Sequence, residues 1–203
     1  MRCTAACQKR GFTLVELMIV VSIIGVLAAL AVVGVSRQLA MSKTAEAKLV
    51  VGAITRSAVT QYYRERNTSV ILPSGGVAGN THVLCGAATP VPADFTQVQG
   101  TKYQPSAGPN ADFMTGSHLA GWQCLGFAIT QPIYFQYSYQ VGGDYVSDGM
   151  PGAPLPSVEE GFEAAARGDL DGDGVASTMV RTGEVRGGEI VTSTQIYTNN
   201  DLE

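Results

Sequence analysis

The sequence predicts an α+β protein. One long N-terminal α-helix, membrane-spanning in its first half, packs on a C-terminal antiparallel β-sheet. Three observations carry the prediction. Phe12 to Val35 is a run of 24 residues with a single charge, Glu16. A helical period then continues through mixed polar and apolar residues to about Arg66. Beyond residue 121 the pattern changes to short apolar runs divided by Gly- and Asp-rich turns.

The apolar run comes first. At about 1.5 Å per residue it spans roughly 36 Å, enough to cross a bilayer. Lys9 and Arg10 precede it, which predicts a cytoplasmic N-terminus and a C-terminal domain on the far side of the membrane. A secretory signal has a shorter apolar region, about 7 to 15 residues, followed by a small-residue cleavage site. Here the small residue, Gly11, stands before the run. Glu16 is out of place in a plain anchor, because a carboxylate in hydrocarbon costs on the order of several kcal/mol without a partner.

After Ser36 the helix becomes amphipathic. Ala47, Val50, Val51, Ile54, Ala58 and Tyr62 recur at steps of three and four and form one stripe, over residues 36–66. From Phe12 to Arg66 the helix measures roughly 80 Å. The Tyr62-Tyr63 pair reads as core packing. Residues 67–121 are rich in Gly, Pro, Ser, Thr and Asn and read as an irregular region with short strands or a functional surface. Residues 122–203 read as the sheet. "QCLGFAIT" is a short apolar strand signal. In "PIYFQYSYQV", Ile133, Phe135, Tyr137, Tyr139 and Val141 alternate with polar neighbours. "GFEAAARG", "VASTMVRTG" and "EIVTSTQIY" follow, giving about four antiparallel strands with one face on the helix.

Composition narrows the function. Charged residues make up 15% of the 203, with no basic excess to recruit nucleic acid. Three of the 13 Lys and Arg residues lie before Gly11 and no acid does, so the remainder carries ten bases against 17 acids, a balance of −7. Cys3 and Cys7 fall in the short basic leader. Cys85 and Cys124 are left to the folded part, where a disulfide is expected, the alternative being two buried thiols. His82 and His118 have no metal-ligand spacing and no nucleophile motif around them, so an enzyme is not predicted.

The stretch "KRGFTLVELMIVVSIIGVLAAL" resembles the class III signal of type IV pilins and type II secretion pseudopilins, over about Lys9 to Lys48. The resemblance implies that prepilin peptidase removes residues 1–11 by cutting after Gly11. It implies N-methylation of the new N-terminal Phe12, and pairing of Glu16 with the N-terminal amine of a neighbouring subunit. Cutting before the run keeps residues 12–35 as an assembly helix and puts a positive amine within one turn of Glu16. The implied partners are itself, other pilin-like subunits and the inner-membrane assembly machinery. The implied location is the bacterial inner membrane, then an extracellular pilus or a periplasmic pseudopilus. Many major pilins carry proline where this chain has Val33; here Gly25 and Gly34 are the weak helix points instead. The alternative functions are a pseudopilin of a type II secretion system and a filament-borne adhesive module.

One further motif carries chemistry. "GDLDGDGVAS" sets Asp169, Asp171 and Asp173 at alternate positions, followed by Gly174 and Ser177. Three such carboxylates can converge on a hard cation, here Ca2+. The motif resembles the first half of an EF-hand loop and the turns of calcium-stabilised pilins, but the twelfth position is Val180, without a carboxylate. The competing reading is a solvated turn held by Asx hydrogen bonds.

Overall fold

The computed structural model describes residues 11–64 and 82–201. The leader through Arg10, with Cys3 and Cys7, lies outside the described residues. So do Glu65 and Arg66, expected to end the helix, and the start of the irregular region up to Thr81.

Helix α1 runs from Leu14 to Tyr62. Its residues up to Leu39 form one compact unit, and Ala40 onward belongs to a second. In the first unit every side chain from Phe12 to Val35 is exposed, among them Leu30 at 69% and Val33 at 71%. Such a helix is long and apolar enough to cross a membrane. Gly25 and Gly34 do not interrupt it. Its hydroxyls are satisfied internally: Ser22 donates to the Met18 carbonyl and Ser36 to that of Val32.

In the second unit the expected stripe is the buried one. Ala47, Val51, Ile54, Ala58 and Tyr62 are buried, joined by Thr44, Gly52 and Thr55. They pack into one core with the sheet. Among the described residues the sheet has six strands. β1 (Ala88–Val91), β2 (Gln136–Val141), β3 (Gly161–Gly168), β4 (Ser177–Arg186) and β5 (Glu189–Thr192) lie in that spatial order, all antiparallel. β6 (Tyr197–Asn199) pairs with β4 at Thr178–Val180.

The core face explains part of the sequence. Tyr137, Tyr139, Phe162, Ala164, Ala166 and Met179 share a cluster with the helix stripe. Alanines in the middle of β3 leave room for the helix between aromatic side chains. Two glycines serve as platforms: a Cβ on Gly168 or Gly183 would come within 2.6 Å of the Phe135 or Phe162 ring. On the opposite face Glu163, Ala165 and Val180 are buried. Glu163 accepts hydrogen bonds from the backbone N–H of Val146 (2.6 Å) and Ser147 (3.0 Å), which ties down the long β2–β3 connection.

Two local expectations change. "QCLGFAIT" is not a strand: Gly121–Leu125 forms a short helix, α2, ended by Gly126 at φ 63 in the left-handed region. An apolar run this short fits either state by period alone, and the left-handed glycine decides it. The sheet also begins earlier than expected, with β1 inside the Gly- and Pro-rich region. Cys85 and Cys124 are bonded, and the bridge ties the chain before β1 to α2. Beside it Trp122 is fully buried, donates to the Thr89 carbonyl at 2.8 Å and packs edge-on to Phe113.

Candidate functional site

The first candidate is the start of α1. Gly11, Phe12 and Thr13 precede the helix and are exposed. Thr13 is its N-cap. The Glu16 N–H donates to Thr13 Oγ1 (3.2 Å), and Glu16 Oε2 accepts from the Thr13 N–H (3.1 Å) and hydroxyl (3.0 Å). This is a reciprocal capping box, which satisfies donors that the first turn leaves open. The carboxylate thus has a partner within its own subunit, three residues away. Thr13 is a residue that the reading by hydropathy missed, although Thr-x-x-Glu ahead of an apolar run is the signal for it. Its bonds orient Glu16 at the N-terminal end of the helix, where the new amine of a chain cut after Gly11 would stand.

The second candidate is the β3–β4 turn. Asp169 is buried at its start, while Asp171 and Asp173 are exposed, and the three can place one oxygen each within 4.8 Å of one another. Backbone N–H groups of Gly172 (2.6 Å) and Gly174 (2.9 Å) donate to the Asp169 carboxylate, and Gln99 adds a side-chain bond. Burial alone would raise the Asp169 pKa, but the Gly174 and Gly172 donors outweigh it and hold the group below the ordinary aspartate value. Asp171 accepts from the Asp173 N–H and Asp173 from that of Val175, so the Asx bonds of the competing reading are present as well. Ser177 opens β4 opposite Gly168, and its hydroxyl is buried with no hydrogen-bond partner among the described residues. Val180 is buried in the strand and supplies no ligand. Carboxylates so gathered could hold a metal ion.

The N-terminal sequence has its counterpart among known proteins. The family described as "Prokaryotic N-terminal methylation motif" matches residues 7–32. In part of its length the chain is similar to type IV pilins. It is 40% identical over 79 residues to the type IV major pilin protein PilE1 of Neisseria gonorrhoeae, covering 35% of this chain and 47% of that one. It is 43% identical over 58 residues to the fimbrial protein EcpC of Eikenella corrodens, covering 29% and 37%. A fimbrial protein of Neisseria meningitidis is 40% identical over 81 residues, covering 37% and 44%. The chain thus spans less than half the length of each of these relatives. No solved structure matches it.

Proposed function

We propose that this pilin-like chain is a structural subunit of a type IV pilus or pilus-like filament. Prepilin peptidase cuts after Gly11, Phe12 is methylated, and the helix from Phe12 onward becomes the assembly element. The observation that carries the reading is the helix surface: an apolar stretch exposed on all sides, with one carboxylate at its start. The bilayer covers that surface before assembly, and neighbouring helices cover it afterwards. Glu16 then exchanges its bonds to Thr13 for the N-terminal amine of the next subunit. In a water-poor helix bundle an unpaired charge is costly, so this contact sets the axial register. Glu16→Ala is expected to leave insertion and cleavage intact and to abolish filaments. Normal filaments from that variant would refute the mechanism.

The β3–β4 turn is read as a structural calcium site, with Asp169, Asp171 and Asp173 as ligands and Ser177 completing the set. Bound calcium would neutralise the three carboxylates and lock the turn between its strands. Calcium should raise the Tm of the head, and Asp171→Ala should remove the shift. An unchanged Tm in the wild-type chain would leave the Asx turn as the whole account.

A further inference from the structure

Two lysines far apart in the sequence converge on one ring. Lys43 Nζ, from α1, and Lys102 Nζ lie 4.3 and 4.8 Å from the centroid of Tyr134, a half-buried residue just ahead of β2. The face of the ring attracts each ammonium, yet the arrangement also gathers two like charges. Among the described residues neither lysine forms a salt bridge. The aspartates of the β3–β4 turn stand at the same end of the sheet, but their carboxylates accept from N–H groups of their own turn.

At the other end of the sheet one connection is acidic. The β2–β3 connection, residues 142–160, holds Asp144, Asp148, Glu159 and Glu160, all exposed, and no Lys or Arg. It is firmly held: Glu163 grips its backbone, and the Tyr145 hydroxyl shares its proton between the Ser157 and Gly161 carbonyls. Leu155 and Val158 stand 60% and 62% exposed among the acids.

Two independent rulers separate these ends. β2 lies between them and is roughly 20 Å long at about 3.3 Å per residue. Along α1, Lys43 to Tyr62 spans roughly 28 Å. Tyr62 marks the acidic end: its hydroxyl donates to the Gly188 carbonyl just past β4, and the Val185 N–H near the end of β4 donates to the Glu160 carbonyl. The lysines of one copy therefore cannot meet the acidic connection of the same copy.

The geometry points to a head-to-tail contact between copies of this chain, in which the Lys43–Lys102 pair at Tyr134 receives the acidic β2–β3 connection of another copy. The contact rests on the filament reading above and names the surfaces that the heads use. The two patches are different surfaces, so the contact is heterologous. It repeats along a stack instead of closing into a dimer. Leu155 and Val158 add apolar area beside the charges, and the charges set the direction of stacking.

The test uses the full chain in cells that assemble it. Lys43→Glu with Lys102→Glu, and separately Glu159→Lys with Glu160→Lys, should each lower the sheared filament yield on the order of tenfold, because like charges then face each other. Combining all four substitutions should bring the yield back to the wild-type level. A Lys102→Cys, Glu160→Cys chain, co-expressed with wild type so that filaments form, should give a disulfide-linked ladder on oxidation that neither single cysteine gives. Wild-type filaments with unchanged yield in both reversals, or with no ladder, overturn the contact and leave the filament reading standing. A loss in the lysine reversal that the combined variant does not recover assigns the lysines to another partner, such as anionic lipid headgroups, and also overturns it. Absence of filaments from the wild-type chain removes the filament reading itself.

Discussion

Glu163 is the side chain whose removal should do most to loosen the head. It is 1% exposed, in the middle of the sheet, and its carboxylate accepts from two backbone N–H groups of the β2–β3 connection. Among the described residues it has no cationic partner. A hydrogen bond to a charged group contributes about 1.5–3 kcal/mol. Glu163→Ala loses two of them and strands two donors that no apolar replacement can satisfy, a cost of roughly 3–6 kcal/mol. Glu163→Gln keeps the volume and one acceptor but turns an amide N–H toward the second donor, so about half the cost remains. For a domain of this size, at roughly 2–4 °C per kcal/mol, the alanine variant should melt on the order of 10–15 °C lower. The assay is thermal unfolding by circular dichroism of a fragment starting at Ala40, which contains the whole core. Limited proteolysis adds a local readout, with new cleavage within residues 142–160. A Tm within about 3 °C of wild type, with the connection still protected, would refute the reasoning.

Two further outcomes follow from the same core. Cys85 and Cys124 lie 39 residues apart, and closing a loop of that length stabilises by about 4 kcal/mol in the chain-entropy picture. Cys85→Ala with Cys124→Ala should therefore lower the Tm by about 10 °C, and a change of only a degree or two would mean that the aromatic cluster around Trp122 holds the region by itself. Burial raises the phenol of Tyr137 above its ordinary 10.0, and those of Tyr62, Tyr103 and Tyr145 in the same direction. A folded pKa above the unfolded one gives stability that is complete below pH 10.0 and lost as pH rises past it. Tyrosinate absorbance should thus appear together with loss of the circular dichroism signal, and ionisation of all these tyrosines in a folded head would contradict the burial.

Much of the fold is legible in local pattern. The apolar run, the stripe from Ala47 to Tyr62 and the alternation around Tyr137 each specify an element through their own period. What the period does not reach is set by distant partners. Nothing in "GFEAAARG" marks Glu163 as buried, because its donors, Val146 and Ser147, sit on an irregular connection some 16 residues away. β1 is four residues long in a Gly- and Pro-rich stretch and becomes a strand only by pairing with β2. α2 depends on the left-handed Gly126 and on the bridge at Cys124. At the N-terminus the Thr13–Glu16 box is written in four consecutive residues, so local chemistry suffices there. Lys43, Lys102 and Tyr134 carry no motif at all, and only the tertiary fold places them together.

The central claim is that Gly11 is the cut site and the apolar helix is the assembly element. It is tested most directly by shearing cells that express the chain and reading the N-terminus of the released protein by mass spectrometry. The account predicts abundant extracellular polymer whose chains begin at methylated Phe12. Released protein that begins downstream of Val35, having lost the apolar run, would contradict it.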